Sequence, residues 1–245
     1  MFPIRDHNPS QRVPFVTYAL ILANVAVFLA TLPLYSDPAE LNAFFADWAL
    51  VPAVSNPATF VTSQFLHGGI AHLAGNMLFL WIFGDNLEDE LGHWTFLGFY
   101  LLGGIGAGIA QVLPDPSAQV PMVGASGAIA AVMGGYLLLF PRARVDILVI
   151  LLIFFRIVPV PAWLVLGLWF GLQLISGAAT PMDGGGVAYW AHAGGFLVGL
   201  LATIPHWRRK GGTDYWHRTH GHPPHPEAQY RLRRTTVPRA GRHRQ

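Results

Sequence analysis

Six stretches of the chain are apolar and uncharged enough to read as membrane-spanning helices. They run over Pro14–Leu32, Gly68–Phe83, Trp94–Leu113, Val123–Phe140, Trp163–Ile175 and Val187–Ile204. A span needs roughly 20 apolar residues, so the fifth is short unless Pro159–Ala162 extends it. The breaks between them are marked by Pro33-Leu34-Tyr35, by an acidic turn over Gly84–Glu90, by Pro114-Asp115-Pro116 and by Pro141-Arg142. One further apolar stretch, Val145–Phe155, has only 11 residues and ends at Arg156. It is too short to span and reads as a re-entrant segment or a buried connector. The pattern predicts an all-α polytopic membrane protein, a bundle of six transmembrane helices.

The connection between the first two spans, residues 35–66, is long and holds Asp37, Glu40 and Asp47 among Phe44, Phe45, Trp48 and Phe60. That apolar surface suggests a loop lying in the membrane interface, with a small extracytoplasmic subdomain as the alternative. Gly184–Tyr189 leads into the sixth span. Beyond His206 the chain turns basic and rich in His and Pro, the composition of a disordered tail. The expected organisation is a cytoplasmic N-terminus (1–13), a six-span membrane domain (14–205) and a disordered cytoplasmic tail (206–245). Met1–Arg12 lacks the apolar core of a signal peptide, so the first span is expected to stay as an anchor.

Composition agrees with a membrane protein: 53% of the 245 residues are hydrophobic and 11% charged, against about 25% charged in soluble domains. With no cysteine, disulfides, thiolate metal sites and a cysteine nucleophile are excluded. None of the 15 Lys and Arg lies between Val13 and Pro141, and ten lie beyond His206. Loops rich in Lys and Arg stay cytoplasmic, which puts both ends on one side and demands an even number of spans. On this charge pattern we expect a multi-pass protein with both termini cytoplasmic; the membrane we expect it in is a bacterial plasma membrane.

The even count fixes where the polar residues of the spans fall. Spans two, four and six run in the same direction. His72 and Asn76 lie in the early turns of span two, Ser126 opens span four, and His192 lies in the early turns of span six. All four therefore share one depth, near the extracytoplasmic face. Polar groups inside a membrane usually face the bundle interior or a water-filled cavity. A serine hydroxyl needs a base to take its proton, and imidazole is the usual one. No Asp or Glu lies within the six spans, so the pattern suggests a serine–histidine dyad rather than a triad. His72 and Asn76, four apart, share a helix face and offer donors for an anion developing near Ser126. The alternative for the Gly124-Ala-Ser126-Gly127 stretch alone is close packing of helices through small residues.

The stretches His67-Gly-Gly-Ile-Ala-His72-Leu-Ala-Gly-Asn76, Gly124-Ala-Ser126-Gly127 and Ala191-His192-Ala-Gly-Gly195-Phe-Leu-Val-Gly199 together resemble the rhomboid family of intramembrane serine proteases, over roughly residues 14–205. The resemblance implies a six-helix rhomboid-like bundle in which Ser126 is the nucleophile, His192 the general base, and His72 with Asn76 the oxyanion-side donors. It implies that Gly195 and Gly199 bring the sixth helix onto the fourth beside Gly124 and Gly127, and that Glu88 is structural. Two positions depart from the family pattern: Ala58-Thr59 stands where many bacterial members carry Trp-Arg, and Ala130 where some place an aromatic against the histidine.

The resemblance implies transmembrane protein substrates, a lipid-bilayer setting, no cofactor and no nucleic acid, and leaves the oligomeric state open. A non-catalytic rhomboid-like binder of membrane clients typically lacks the serine or the histidine, and both are present here. A small transporter would carry charge or broken helices at mid-membrane, which these spans do not. The tail histidines His217, His220, His222 and His225 are too loosely spaced among prolines to make a convincing metal site.

Overall fold

The computed structural model describes residues 2–54, 56–151, 154–180 and 186–230. Each of the six apolar stretches is helical: α1 (Phe15–Thr31), α4 (Ile70–Leu91), α5 (His93–Val112), α6 (Ser126–Leu139), α7 (Ala162–Ala179) and α8 (Tyr189–Arg209). Helices α2 (Pro38–Trp48) and α3 (Thr59–Thr62) lie in the connection after α1. By length and composition, three helical segments among the described residues can cross a membrane: Phe15–Ser36, α5 and α7. A fourth arises if Thr59–Phe65 and α4 count as one span bent by 97°.

The helix at the centre is α6. Every residue from Gly127 to Tyr136 is buried, as expected of a helix apolar on all sides. Six of those ten are glycine or alanine and admit neighbours at backbone distance: a Cβ on Gly195 would overlap the carbonyl oxygen of Gly127, and one on Gly199 that of Ala131. A Cβ on Gly134 would likewise run into the Phe196 carbonyl. Helices α6 and α8 therefore touch through their main chains, which is how small residues drive association where lipid offers no hydrophobic force. Below them Tyr136, Phe83 and Phe140 pack edge to face, with centroids 5.0 and 5.4 Å apart.

Three expectations are corrected here. The fold is not purely helical: β1 (Phe2–Asp6), β2 (Arg144–Leu151) and β3 (Phe154–Pro161) form an antiparallel sheet in the order β1-β2-β3. The described residues of the apolar stretch at 145–155 thus belong to two paired strands, β2 and β3, with Val145 opposite Val160 and Ile147 opposite Val158. Burial grades along β2: Val145, Asp146 and Ile147 are buried while Ile150 is exposed, and the β-branched residues of the stretch suit a strand. The acidic stretch Gly84–Glu90 is not a turn but the last turns of α4. Its carboxylates face partners: Glu90 is bonded by Lys210 (2.6 Å) and His206 (3.1 Å) of α8's end.

The tail is also ordered through residue 230. Helix α9 (Thr213–Thr219) docks by Trp216, whose indole N–H donates to the Leu138 carbonyl at 2.9 Å and whose ring lies 4.9 Å from Trp207. Glu227 accepts from Arg144, and the Ala228 N–H donates to the His7 carbonyl at 2.9 Å. Aromatic anchors and ion pairs offset the polar composition that suggested disorder. Gly184, in the lead-in to α8, and residues 231–245 of the tail lie outside the described residues.

Candidate active site

Ser126 is the first residue of α6. The residues before it supply no side-chain cap, so the first N–H groups of the helix are left without intrahelical partners and the positive end of its dipole faces the same place. Gly124 makes the approach possible. Its φ is +126°, a value that L side chains rarely adopt, and its N–H is tied to the Ser63 carbonyl at 2.9 Å. A Cβ there would lie 2.8 Å from Nε2 of His72 and 3.5 Å from Nδ2 of Asn76. The glycine is therefore what lets both side chains come up beside the serine.

His192 reaches Ser126 from α8: its Nε2 lies 2.7 Å from the serine Oγ. That distance follows from the main-chain contact at Gly127 and Gly195, one turn below. The first turn of α8 is held by Gln111 of α5, whose Oε1 accepts from the Ala191 N–H at 3.0 Å. On the other side of the ring stands α7. Its Gln173 places Oε1 2.8 Å from His192 Nδ1, and Trp169 lies against the ring with centroids 5.7 Å apart. With Ala130 in place of an aromatic, these two residues are what hold the histidine.

On the α4 side, Gly68 N–H donates to His72 Nδ1 at 3.3 Å. Nδ1 is thereby the acceptor, and His72 carries its proton on Nε2, the atom facing Gly124. Asn76 is buried, and its Nδ2 has no partner among the described residues. A buried donor without an acceptor costs about 1–3 kcal/mol; one kept beside a serine is suited to an anion that forms only during reaction. Ser126, His192, His72 and Asn76 all line one cavity of about 560 Å³, with Gln111, Trp169 and Met122 among its other walls. The loop before α4 is anchored without Trp-Arg: the Gln64 amide donates to Phe60 and Leu101 carbonyls at 2.8 and 3.2 Å, in a space that Gly104 leaves open.

The structure thus brings together all four polar residues picked out in the sequence, with Gly124, Gly127, Gly195 and Gly199 at the contacts between their helices. Gln173 and Gln111 were missed. The signal existed, because an amide inside an apolar span is as costly as an imidazole, but neither residue type is itself a nucleophile or base.

A helical bundle that carries a serine and a histidine in contact at the mouth of a cavity, each on its own apolar helix, defines a class of membrane-embedded proteins. Comparison with known proteins places it further: the Rhomboid domain matches residues 55–209, and the chain belongs to the rhomboid family. It is 31% identical over 193 residues to Rhomboid protein 1, mitochondrial, of Saccharomyces cerevisiae, covering 76% of this chain and 51% of that one. RHOMBOID-like protein 12, mitochondrial, of Arabidopsis thaliana is 29% identical over 206 residues, 76% of this chain and 57% of the relative. Rhomboid protease GluP of Bacillus subtilis is 44% identical over 77 residues, 31% of this chain and 15% of that one. The chain spans about half the length of the two broader relatives.

Those two relatives are named as mitochondrial, and this overturns the expected bacterial plasma membrane and the cytoplasmic termini that went with it. The physical reason is simple. A Lys and Arg bias orients a chain across a bilayer but says nothing of which bilayer it is.

Proposed function

We propose that this chain is an intramembrane serine endopeptidase that cuts transmembrane segments of other proteins with Ser126 and His192. The observation that carries the reading is the 2.7 Å approach of His192 Nε2 to Ser126 Oγ inside a cavity that also holds the unpartnered Asn76 amide. One relative is named a protease. On this reading Ser126 Oγ attacks the scissile carbonyl carbon while its proton passes to His192 Nε2. The resulting oxyanion is met by His72 Nε2–H, Asn76 Nδ2–H and the first N–H groups of α6. His192 then gives the proton to the leaving amine as the C–N bond breaks. Water attacks the ester by the same route and restores the hydroxyl.

The same reading takes α1, α4, α5, α6, α7 and α8 as six spans. An even number brings both chain ends to one side, consistent with the bond between His7 and Ala228. Helix α6 has 14 residues, a rise of only about 21 Å against an apolar layer of about 30 Å, so on this reading the Ser126 end of that span starts below the surface of the layer. A substrate helix protects its peptide bonds by its own hydrogen bonding, so the segment cut must unwind, as Gly and Pro favour. The small residues Gly68, Ala71 and Gly75 in the cavity wall suit small side chains before the cut. The test is a serine-directed fluorophosphonate probe on the detergent-solubilised chain. Labelling is expected in wild type and not in Ser126→Ala. A folded wild type that neither takes the probe nor cuts any single-span substrate would mark a client-binding protein instead.

A further inference from the structure

From the hydrogen bonds around Gln173 we infer that this residue is a positioning residue that selects the reactive tautomer of His192. The inference rests on the protease reading for its catalytic consequence, though not for its structural core. A neutral imidazole carries its proton on either nitrogen, and only the form with a bare Nε2 can accept a proton from Ser126. Something must hold the proton on Nδ1. In a serine–histidine–aspartate site a carboxylate does so, and no Asp or Glu lies on α6, α7 or α8 near the ring.

Gln173 supplies a neutral substitute. Its amide is buried, 8% exposed, and has two contacts: Oε1 at 2.8 Å from His192 Nδ1 and Nε2 donating to the Trp169 carbonyl, one turn back on α7, at 3.3 Å. The carbonyl decides which way the amide faces. Reversed, the amide would set its oxygen against the Trp169 oxygen, two acceptors with no proton between them. In the observed sense Oε1 can only accept, so Nδ1 must donate. The chain of donors then runs one way, from Ser126 Oγ–H to His192 Nε2, from His192 Nδ1–H to Gln173 Oε1, and from Gln173 Nε2–H to the α7 backbone.

The device also fits its surroundings. When Nε2 takes the serine proton the ring becomes a cation, and the negative end of the Gln173 dipole already faces it. A carboxylate at this depth would have to be buried as a charge throughout the resting state, which is costly away from water. An amide selects the tautomer without that burial, and Trp169, tilted against the ring at 32°, leaves it little room to turn over.

The test uses the whole chain in detergent with a single-span substrate, and ring-15N-histidine spectra assigned by subtraction of His192→Ala. Wild type is expected to show His192 protonated at Nδ1 and bare at Nε2. Gln173→Leu should lose that preference, keep its melting temperature and KM, and lose about 10–100-fold in kcat, the usual range for removing the partner that orients a functional histidine. Gln173→Glu, which restores an acceptor, should recover most of the turnover. A wild-type His192 protonated at Nε2 overturns the inference. So does folded Gln173→Leu with wild-type kcat, or with lower kcat and an unchanged tautomer, since the amide would then act by packing alone. The spectra need no turnover. Wild type that neither cleaves nor takes a serine probe would end the protease reading while the tautomer of His192 still decides the role of Gln173.

Discussion

Glu88 on α4 caps helix α1 through Thr17, 71 residues away: its Oε2 accepts from both the backbone N–H and the hydroxyl of Thr17, each at 2.7 Å. Its Oε1 accepts from the Val16 N–H at 2.9 Å and lies 2.5 Å from His93 Nδ1. Helix α1 has no acidic residue in its first turn and no cap of its own. A buried carboxylate from another helix therefore does both jobs, satisfying orphan N–H groups and meeting the positive end of the dipole. This gives physical content to the structural role that the family resemblance implied for Glu88.

Replacing Glu88 by Ala should lower stability by about 2–4 kcal/mol, because buried donors at the start of α1 lose their acceptor. Glu88→Gln, which keeps one carbonyl oxygen, should lose less than half of that. Thermal unfolding in detergent measures both. Turnover well below the melting point should survive in each, and a selective loss of kcat in the stable Gln variant would show that Glu88 reaches the chemistry after all.

The contact between α6 and α8 predicts a contrast among glycines. Gly199→Ala drives a methyl into the Ala131 carbonyl, so α8 must move away and carry His192 with it. Cleavage should fall by at least tenfold, as expected when reacting groups are displaced by about 1 Å. Gly98→Ala on α5 meets nothing within 4 Å and should leave cleavage intact while raising stability by about 0.5–1 kcal/mol. Equal behaviour of the two variants in parallel melting and activity measurements would refute the main-chain contact as the source of the dyad's spacing.

His72→Ala and Asn76→Ala should each reduce turnover without abolishing it. One donor to the oxyanion is typically worth ~10²–10³ in kcat, and the N–H groups of α6 remain in both variants. The double variant should lose less than the product of the single losses, since the two donors share one small charge. His192→Ala should leave almost nothing, and full activity in that variant would remove the dyad from consideration.

Asp6 offers a pH test away from the cavity. Burial pushes its carboxyl well above the usual 3.8, with the Tyr136 hydroxyl bond at 2.7 Å opposing and the nearby Asp85 carboxylate adding to the rise. The folded state therefore binds the proton more tightly than the unfolded chain, so this group's contribution to stability is full below about pH 4 and declines as pH rises. Asp6→Asn keeps an acceptor for Tyr136 and has no charge to bury. It should melt like wild type at pH 4 and higher than wild type at pH 8, by calorimetry in one detergent. A variant that melts lower at pH 8 would mean that the ionised carboxylate is stabilised by its surroundings.

The helices and the convergence of Ser126, His192, His72 and Asn76 on one cavity were legible because apolar periodicity and the cost of polar groups in lipid are local and strong signals. What held His192 was not legible. Gln173 is 19 residues from it, and an amide matters here only through which atom faces the ring, which no spacing encodes. The sheet was hidden for a different reason. Val145, Ile147, Val149 and Ile150 are β-branched as strand residues tend to be, but in a chain this apolar an 11-residue stretch looks first like a piece of membrane helix. The ordered tail was misread because Trp207, Tyr215 and Trp216 are few among many charges, yet Tyr215 is buried and the two tryptophans are partly so.

The pairing of β1 with β2 carries a consequence for how the molecule is assembled. Arg5 lies opposite Asp146, to which it is bonded at 2.7 Å, so residues at the start of the chain wait for partners about 140 positions later. During synthesis, at about 5–20 residues per second, β1 and Asp6 stay without a seat for several seconds while α1 to α6 enter the bilayer. The sheet then closes as a late, long-range event, the kind that loop-closure entropy makes slow. Until Tyr136 arrives, Asp6 is in water and ionised. Closing the sheet raises the proton affinity of Asp6, so a more acidic compartment favours the final step of assembly.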